Sequence, residues 1–405
     1  MFYRIYQAQD DLLLNPARML ARTALSALAP RVFSFDFHAA RTLAAAYEMI
    51  ARAGLTHERP PYGITSVHTG NREVAVNEVA RLDLPFGTLL NFRKDIGTAQ
   101  APVLVVAPLS GHFATLLRST VKTLLADHDV YITDWKNARD IDSEAGTFGF
   151  DDYVAYIIRF LEELGPEAHV VAVCQPCVQV LAAVAVMAQS GSATQPRSMT
   201  LMAGPVDTRI NPTKVNQLAT GKPIEWFERN LIARVPRRYK GSGRRVYPGF
   251  VQLSAFMSMN LNRHVKAHLD LYNHLVEGEV EKARAIKDFY DEYFAVLDLP
   301  AEFYLETVSW VFQEARLAKG ELTYAGQHVD PKAIRKTALL TVEGERDDIC
   351  SLGQTAAAHD LCSSIKPYMK RHHMQAGVGH YGVFSGRRWE QQIYPNVRNL
   401  ILATG

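Results

Sequence analysis

The chain has 405 residues, 48% hydrophobic and 21% charged, which suits a large packed core and excludes a disordered polypeptide. Its 44 basic and 42 acidic residues leave a net charge of +2, too mild for a nucleic-acid binder or a protein held to an anionic membrane. Four cysteines, two of them three positions apart, do not make a secreted disulfide framework. MFYRIYQAQDDLLLNPARML lacks the pattern of a signal peptide, and no uncharged apolar window reaches membrane-spanning length, so a reduced cytoplasmic protein without a membrane span is expected.

Residues 1–55 carry apolar side chains at helical spacing, from Leu12 to Leu28 and again from Leu43 to Ile50, and predict an N-terminal helical segment ending near residue 60. Short alternating runs over 64–93 predict antiparallel strands at a sheet edge. Strands follow at Pro102 to Ala107 and around Val130 to Thr133. LSGHFATLLRSTVKTLL is expected to form a helix between them, and a second helix begins at Asp151 with acidic residues in its first turn. Further strands are expected at 170–173, 198–205, 337–348 and 370–377, the last two each followed by a helical segment. Strands alternating with helices of this length imply a mostly parallel sheet covered on both faces. Between Pro205 and about Lys336 the alternation stops and the chain becomes helical and aromatic-rich. This predicts a core formed by 61–205 and 336–405, with 206–335 inserted as a helical cap. The basic run Arg234, Arg237, Arg238, Lys240, Arg244 and Arg245 reads as a solvated loop.

Cys174 occupies the most informative position. The β-branched run Val170, Val171, Val173 ends at it, and an Ala/Val/Leu/Met-rich helix starts almost at once, leaving room only for a tight turn. Such a turn presents one side chain at its apex, as in the nucleophile elbow of α/β-hydrolases, and aims the N–H groups of the new helix at whatever that side chain attacks. Pro176 fits the helix's first turn, where its missing N–H costs nothing. Three other readings stand beside the elbow. Cys174 could be a packed core residue. Cys174-Gln-Pro-Cys177 is also a C-x-x-C, the form of a dithiol redox pair. A zinc site would need a second such pair, and only Cys350 and Cys362 remain.

Hydrolase partners would follow the nucleophile in the order acid, then histidine. After the strand at 337–344 comes Gly344-Glu345-Arg346-Asp347, and after the strand at 370–377 comes Gly379-His380. Asp347 is preferred over Asp348, which starts the next segment, and over Asp207, which follows the strand at 198–205.

The segments APLSGHFATLLR, VYITDW, VCQP, WFERN, RRVYPGF, FYDEY, GERDDI, AHDLC and GHYGVFSGRRW together resemble the intracellular poly(3-hydroxybutyrate) depolymerases of storage-granule bacteria, over nearly the whole chain. The resemblance implies an α/β-hydrolase fold with Cys174 as nucleophile, Asp347 as acid and His380 as base, and no metal or organic cofactor. Backbone N–H groups of Gln175 and of Leu109 or Ser110 are expected to hold the oxyanion. The implied partners are 3-hydroxybutyrate polymer and oligomers and the granule surface, with a homo-oligomer left open. Two positions depart from the G-x-S-x-G pattern of hydrolases, because Ala172 and Pro176 stand where it has glycines, and Cys177 is not a residue the resemblance requires. The alternatives are a polyhydroxyalkanoate synthase-like acyltransferase, whose box resembles G-x-C-x-G, and a granule-associated binding protein.

Overall fold

Val103–Val106 and Val170–Val173 are wholly buried runs, as expected of strands covered on both faces, and they lie at the centre of a nine-stranded sheet in a computed structural model that describes residues 2–34 and 38–405. Its strands are β1 (Ser66–Thr69), β2 (Arg72–Asp83), β3 (Gly87–Lys94), β4 (Pro102–Val106), β5 (Asp129–Trp135), β6 (His169–Val173), β7 (Ser198–Met202), β8 (Ala338–Gly344) and β9 (Lys370–Gln375). The order across the sheet is β1-β2-β3-β5-β4-β6-β7-β8-β9. The β1–β2, β2–β3 and β3–β5 pairs are antiparallel, and the rest of the sheet is parallel. The antiparallel edge and parallel body agree with the sequence pattern, and the architecture is that of an α/β-hydrolase.

Two helix predictions change. The segment from Leu109 is a loop up to Phe113, and only Ala114–Leu117 (a 3-10 turn) and Arg118–Leu125 are helical. Gly111 has φ +100°, outside helical space, and its carbonyl accepts the Leu297 N–H at 3.0 Å, so this loop is tied to the inserted segment. After β8 the expected helix shrinks to the single turn Ala358–Leu361. The preceding turns are organised by the buried Glu343, whose Oε1 accepts the N–H groups of Gly353, Thr355 and Ala356 at 2.8–3.0 Å. A buried carboxylate held by several N–H groups fixes a turn where periodicity alone suggested a helix.

β7 and β8 are neighbours in the sheet, yet residues 203–337 separate them in sequence. This segment does not pack as one unit. Helices Gly249–Met259, Leu261–Glu277 and Val280–Tyr293 have a cluster of their own around Leu253, Tyr290, Tyr293 and Val296. Ala295, Leu297, Leu299, Phe303, Val311 and Leu317 instead belong to the main core. The N-terminal helices dock on the insertion: Tyr3 donates to the buried Asp298 at 2.5 Å, beside Ala233, Val235 and Val246. The basic run is partly a clasp rather than a solvated loop. Arg238 pairs with Asp11 at 2.6 Å, Arg245 pairs with Glu228, and Arg244 binds the carbonyls of Asp142 and Gly146.

Candidate active site

β6 ends at Val173, and helix Cys177–Gln189 begins after Cys174, Gln175 and Pro176. Cys174 has φ +66°, a left-handed backbone that costs a non-glycine residue about 1–3 kcal/mol unless its surroundings enforce it. Here its N–H donates to the Met202 carbonyl at 2.8 Å and its carbonyl accepts the Cys177 N–H at 3.2 Å. The strained residue is therefore pinned from both sides, as a nucleophile elbow requires.

Room for this turn without glycines at 172 and 176 comes from the end of β7. A methyl group on Gly204 would lie 2.2 Å from both Cβ and Sγ of Cys177 and 2.9 Å from the Cys174 carbonyl. The Gly204→Ala variant is expected to lose about 1–3 kcal/mol through overpacking and to displace the elbow, lowering activity as well. Gly97, with open space around it, serves as the control site for Gly→Ala. Denaturation midpoints and turnover measured on both variants test this, and equal behaviour would refute it.

The alternatives for the cysteines fare differently. Cys177 is fully buried, and its thiol, pushed well up by burial, points at the Ala172 and Met202 carbonyls at 3.6 Å each. It is a packing residue under the elbow. All four cysteines are unbonded. Among the described residues the group spaced for a metal is His274, Glu277 and Glu279, which contains no cysteine.

His380 and Asp347 are both buried, with His380 Nδ1 at 2.8 Å from Asp347 Oδ2. Asp347 Oδ1 is engaged separately, accepting the N–H groups of Ile349 and Cys350 at 2.9 and 2.8 Å, so the carboxylate cannot rotate freely. Asp348 faces outward and accepts from Asn260 Nδ2 at 2.9 Å. Asp207 is held by Arg209 at 2.8 Å, a bond that also keeps its carboxyl below the usual range. Of the three candidate acids, Asp347 is the one in contact with the imidazole. Burial alone would push His380 down. Asp347, which hydrogen-bonds the ring, and Cys174 at the elbow outweigh that and hold its proton affinity well above the ordinary value. His380 and Asp347 are thus directly bonded, and Cys174 bears on the imidazole electrostatically.

One expected oxyanion donor is not free. The Leu109 N–H donates to Gln175 Oε1 at 3.2 Å, because the Gln175 side chain folds back across the elbow. Among the described residues the backbone N–H groups of Gln175 and Ser110 have no partner, and the buried Gln175 Nε2 has none either.

Sequence reasoning missed an aromatic layer above this group. His112, on the Leu109–Phe113 loop, is buried, is pushed down to about 4 by burial, and has an unpartnered Nε2. Its ring stacks on Phe256 at 5.9 Å and meets Tyr293 at 5.1 Å. The Tyr293 ring in turn lies edge-on to Tyr381, the residue after His380, with centroids 6.2 Å apart. The usable signal was the placement of His112 and Tyr381 beside glycines in two strand-end loops.

Residues 203–404 match the family profile described as PHB de-polymerase C-terminus, a region that holds Asp347 and His380 and starts after Cys174. The chain belongs to the PHB depolymerase family. An α/β-hydrolase of the PHB depolymerase family is a carboxylic ester hydrolase. No curated protein matches the chain. Solved structures similar to this depolymerase-family chain include a 2-hydroxy-6-oxo-6-phenylhexa-2,4-dienoate hydrolase from Rhodococcus sp. strain RHA1, 11% identical with TM-score 0.46 over 81% of this chain and all of that one. Others are a monoacylglycerol lipase from Paleococcus ferrophilus (11%, TM-score 0.44, 82% and 100% covered) and an esterase from Thermogutta terrifontis (13%, TM-score 0.43, 80% and 98% covered). Among the described residues no helix is long and apolar enough to cross a membrane.

Proposed function

We propose that the protein hydrolyses ester bonds of poly(3-hydroxybutyrate) at the surface of cytoplasmic storage granules, through Cys174, His380 and Asp347. One observation carries the reading: a strained elbow cysteine that bears electrostatically on a buried histidine, which a buried aspartate holds by a hydrogen bond. His380, held by Asp347, takes the Cys174 proton or forms a thiolate–imidazolium pair with it. The thiolate attacks the ester carbonyl carbon, a C–S bond forms, and the carbonyl electron pair moves to oxygen. The Gln175 and Ser110 N–H groups are the free donors for that oxyanion, and losing one such donor typically costs about 3 kcal/mol. Collapse breaks the C–O bond, and the departing alcohol takes the proton from His380. Water then gives a proton to His380 and attacks the thioester, the C–S bond breaks, and the acid is released.

Within the 206–335 segment the helices Gly249–Met259, Leu261–Glu277 and Val280–Tyr293 serve as cap, their aromatic residues closing the cleft over Cys174. Polyester has carbonyl acceptors but neither donors nor charge, so its binding depends mainly on apolar area, about 25 cal/mol per Å². Turnover of soluble 3-hydroxybutyrate oligomers should rise with length until the cleft is filled and change little with moderate salt. Incubating the protein with oligomers and amorphous granules and titrating the released acid tests the function. Release of CoA from 3-hydroxybutyryl-CoA without net acid formation, with binding that falls steeply in salt, would mark a synthase-like acyltransferase instead.

A further inference from the structure

Helix Leu261–Glu277 presents Leu261, Val265 and Leu269 to solvent at 56, 51 and 59% exposure. Spaced four apart, they form one stripe along the helix, which a lone soluble helix face would fill with polar residues. The neighbouring helix His38–Arg52 supplies Met49 as the opposite wall, and Met257 and Tyr272 complete an open groove of about 390 Å³ that is apolar throughout. The two histidines in it turn a ring nitrogen back into the protein: His264 Nδ1 meets Tyr290 Oη at 2.9 Å and His268 Nδ1 meets the His264 carbonyl at 2.8 Å. Lys266 is neutralised within its own helix by Asp270 at 2.8 Å. Helix His38–Arg52 also exposes Leu43 and Ile50, at 47 and 43%. Exposed apolar surface of this kind marks a contact site.

The groove adjoins the catalytic group. Asn260, immediately before Leu261, bonds Asp348, the neighbour of Asp347. The His264 ring stacks on Tyr293 at 5.2 Å, and the Tyr293 ring lies edge-on to Tyr381, beside His380, at 6.2 Å. One aromatic layer therefore separates the groove from the reacting residues.

We propose that this groove is a second binding site for the substrate, an apolar track that holds an uncharged aliphatic polyester segment away from the bond being cut. The proposal rests on the polyester reading above. An anionic or donor-rich ligand finds no complement in the groove, whereas a neutral ester chain can lay its methyl and methylene groups there and leave its carbonyls to water. A segment held beside the cleft raises the effective concentration of neighbouring ester bonds at Cys174, which short substrates cannot exploit.

The test is the triple variant L261N/V265N/L269N, compared with wild type in co-sedimentation with amorphous polyester particles, acid release from them, and hydrolysis of soluble 3-hydroxybutyrate dimer. Particle binding and particle turnover should fall by about tenfold or more as apolar contact area is lost. Dimer hydrolysis should stay within about twofold and the thermal midpoint should hold, because exposed side chains contribute little to stability. The single variants Leu261→Asn and Leu269→Asn should give partial losses in the same order. Unchanged particle turnover in the triple variant, or equal losses on dimer and particles, would overturn the groove. So would a wild-type dimer in solution that the triple variant splits, which would make the stripe a contact between copies of this chain. A wild type that cleaves other soluble esters but neither binds nor degrades polyester would overturn the substrate reading and the groove with it.

Discussion

Cys174→Ala is expected to remove ester hydrolysis almost completely, with a loss on the order of 10⁶ in kcat if it resembles nucleophile removal in a serine-protease triad. Alanine at 174 adopts the same left-handed backbone at the same cost, and the residue is only partly buried, so the elbow should persist. The thermal midpoint should stay within about 2 °C, since little packing is lost. The variant should also lower the proton affinity of His380, because one of the two negative charges bearing on it disappears. NMR titration of the imidazole reads that change independently of activity. Cys177→Ala provides the contrast. It leaves a small cavity under the elbow at about 1 kcal/mol and should retain most activity, because its thiol faces the Ala172 and Met202 carbonyls. Equal losses in both variants, together with loss of dithiol exchange, would restore the redox reading of the C-x-x-C pair.

The parallel strands and the elbow could be read from sequence because their physics is local. A β-branched run buried on both faces, followed directly by an Ala-rich helix, specifies the strand, the turn and the exposed apex within twenty residues. The contact between Asp347 and His380 was legible by chain order, since strand-end loops on one edge of a parallel sheet converge. What stayed hidden depends on partners far apart in sequence. Gly204 makes room for Cys177, and the Leu109 N–H is taken by Gln175, 66 residues away. Glu343 turns an expected helix into capped turns through bonds ten to thirteen residues downstream. His112 meets Tyr293 only because the insertion folds back over its loop. Periodicity carries no information about such meetings.

Asp347→Asn should cost far more activity than Asp348→Asn, by a factor of up to ~10⁴, the loss seen when a triad aspartate becomes asparagine. The reason lies in how Asp347 is held. Its Oδ1 accepts two backbone N–H groups, from Ile349 and Cys350, so an asparagine there keeps its oxygen on that side. The amide nitrogen then faces His380 Nδ1 in place of Oδ2, and two donors cannot share that contact. The imidazole must present a lone pair at Nδ1 and carry its proton on Nε2, toward Cys174, where it can no longer accept the thiol proton. Asp348→Asn keeps an acceptor for Asn260 and touches neither ring nitrogen. The pH dependence has a definite sign. Asp347 and Cys174 raise His380 in the folded state, so the protonated ring stabilises the fold fully below the unfolded histidine value of about 6.5. That contribution is lost as pH rises through the higher folded value. Asp347→Asn removes the larger of the two raising charges, so its thermal midpoint should fall furthest below wild type near pH 6 and converge with it at alkaline pH. A variant that tracks wild type across that range while activity collapses would break the link between the ion pair and catalysis. The opposite activity ranking would move the acid to Asp348, and mild losses at both positions would turn attention to Asp207, whose carboxylate Arg209 now holds.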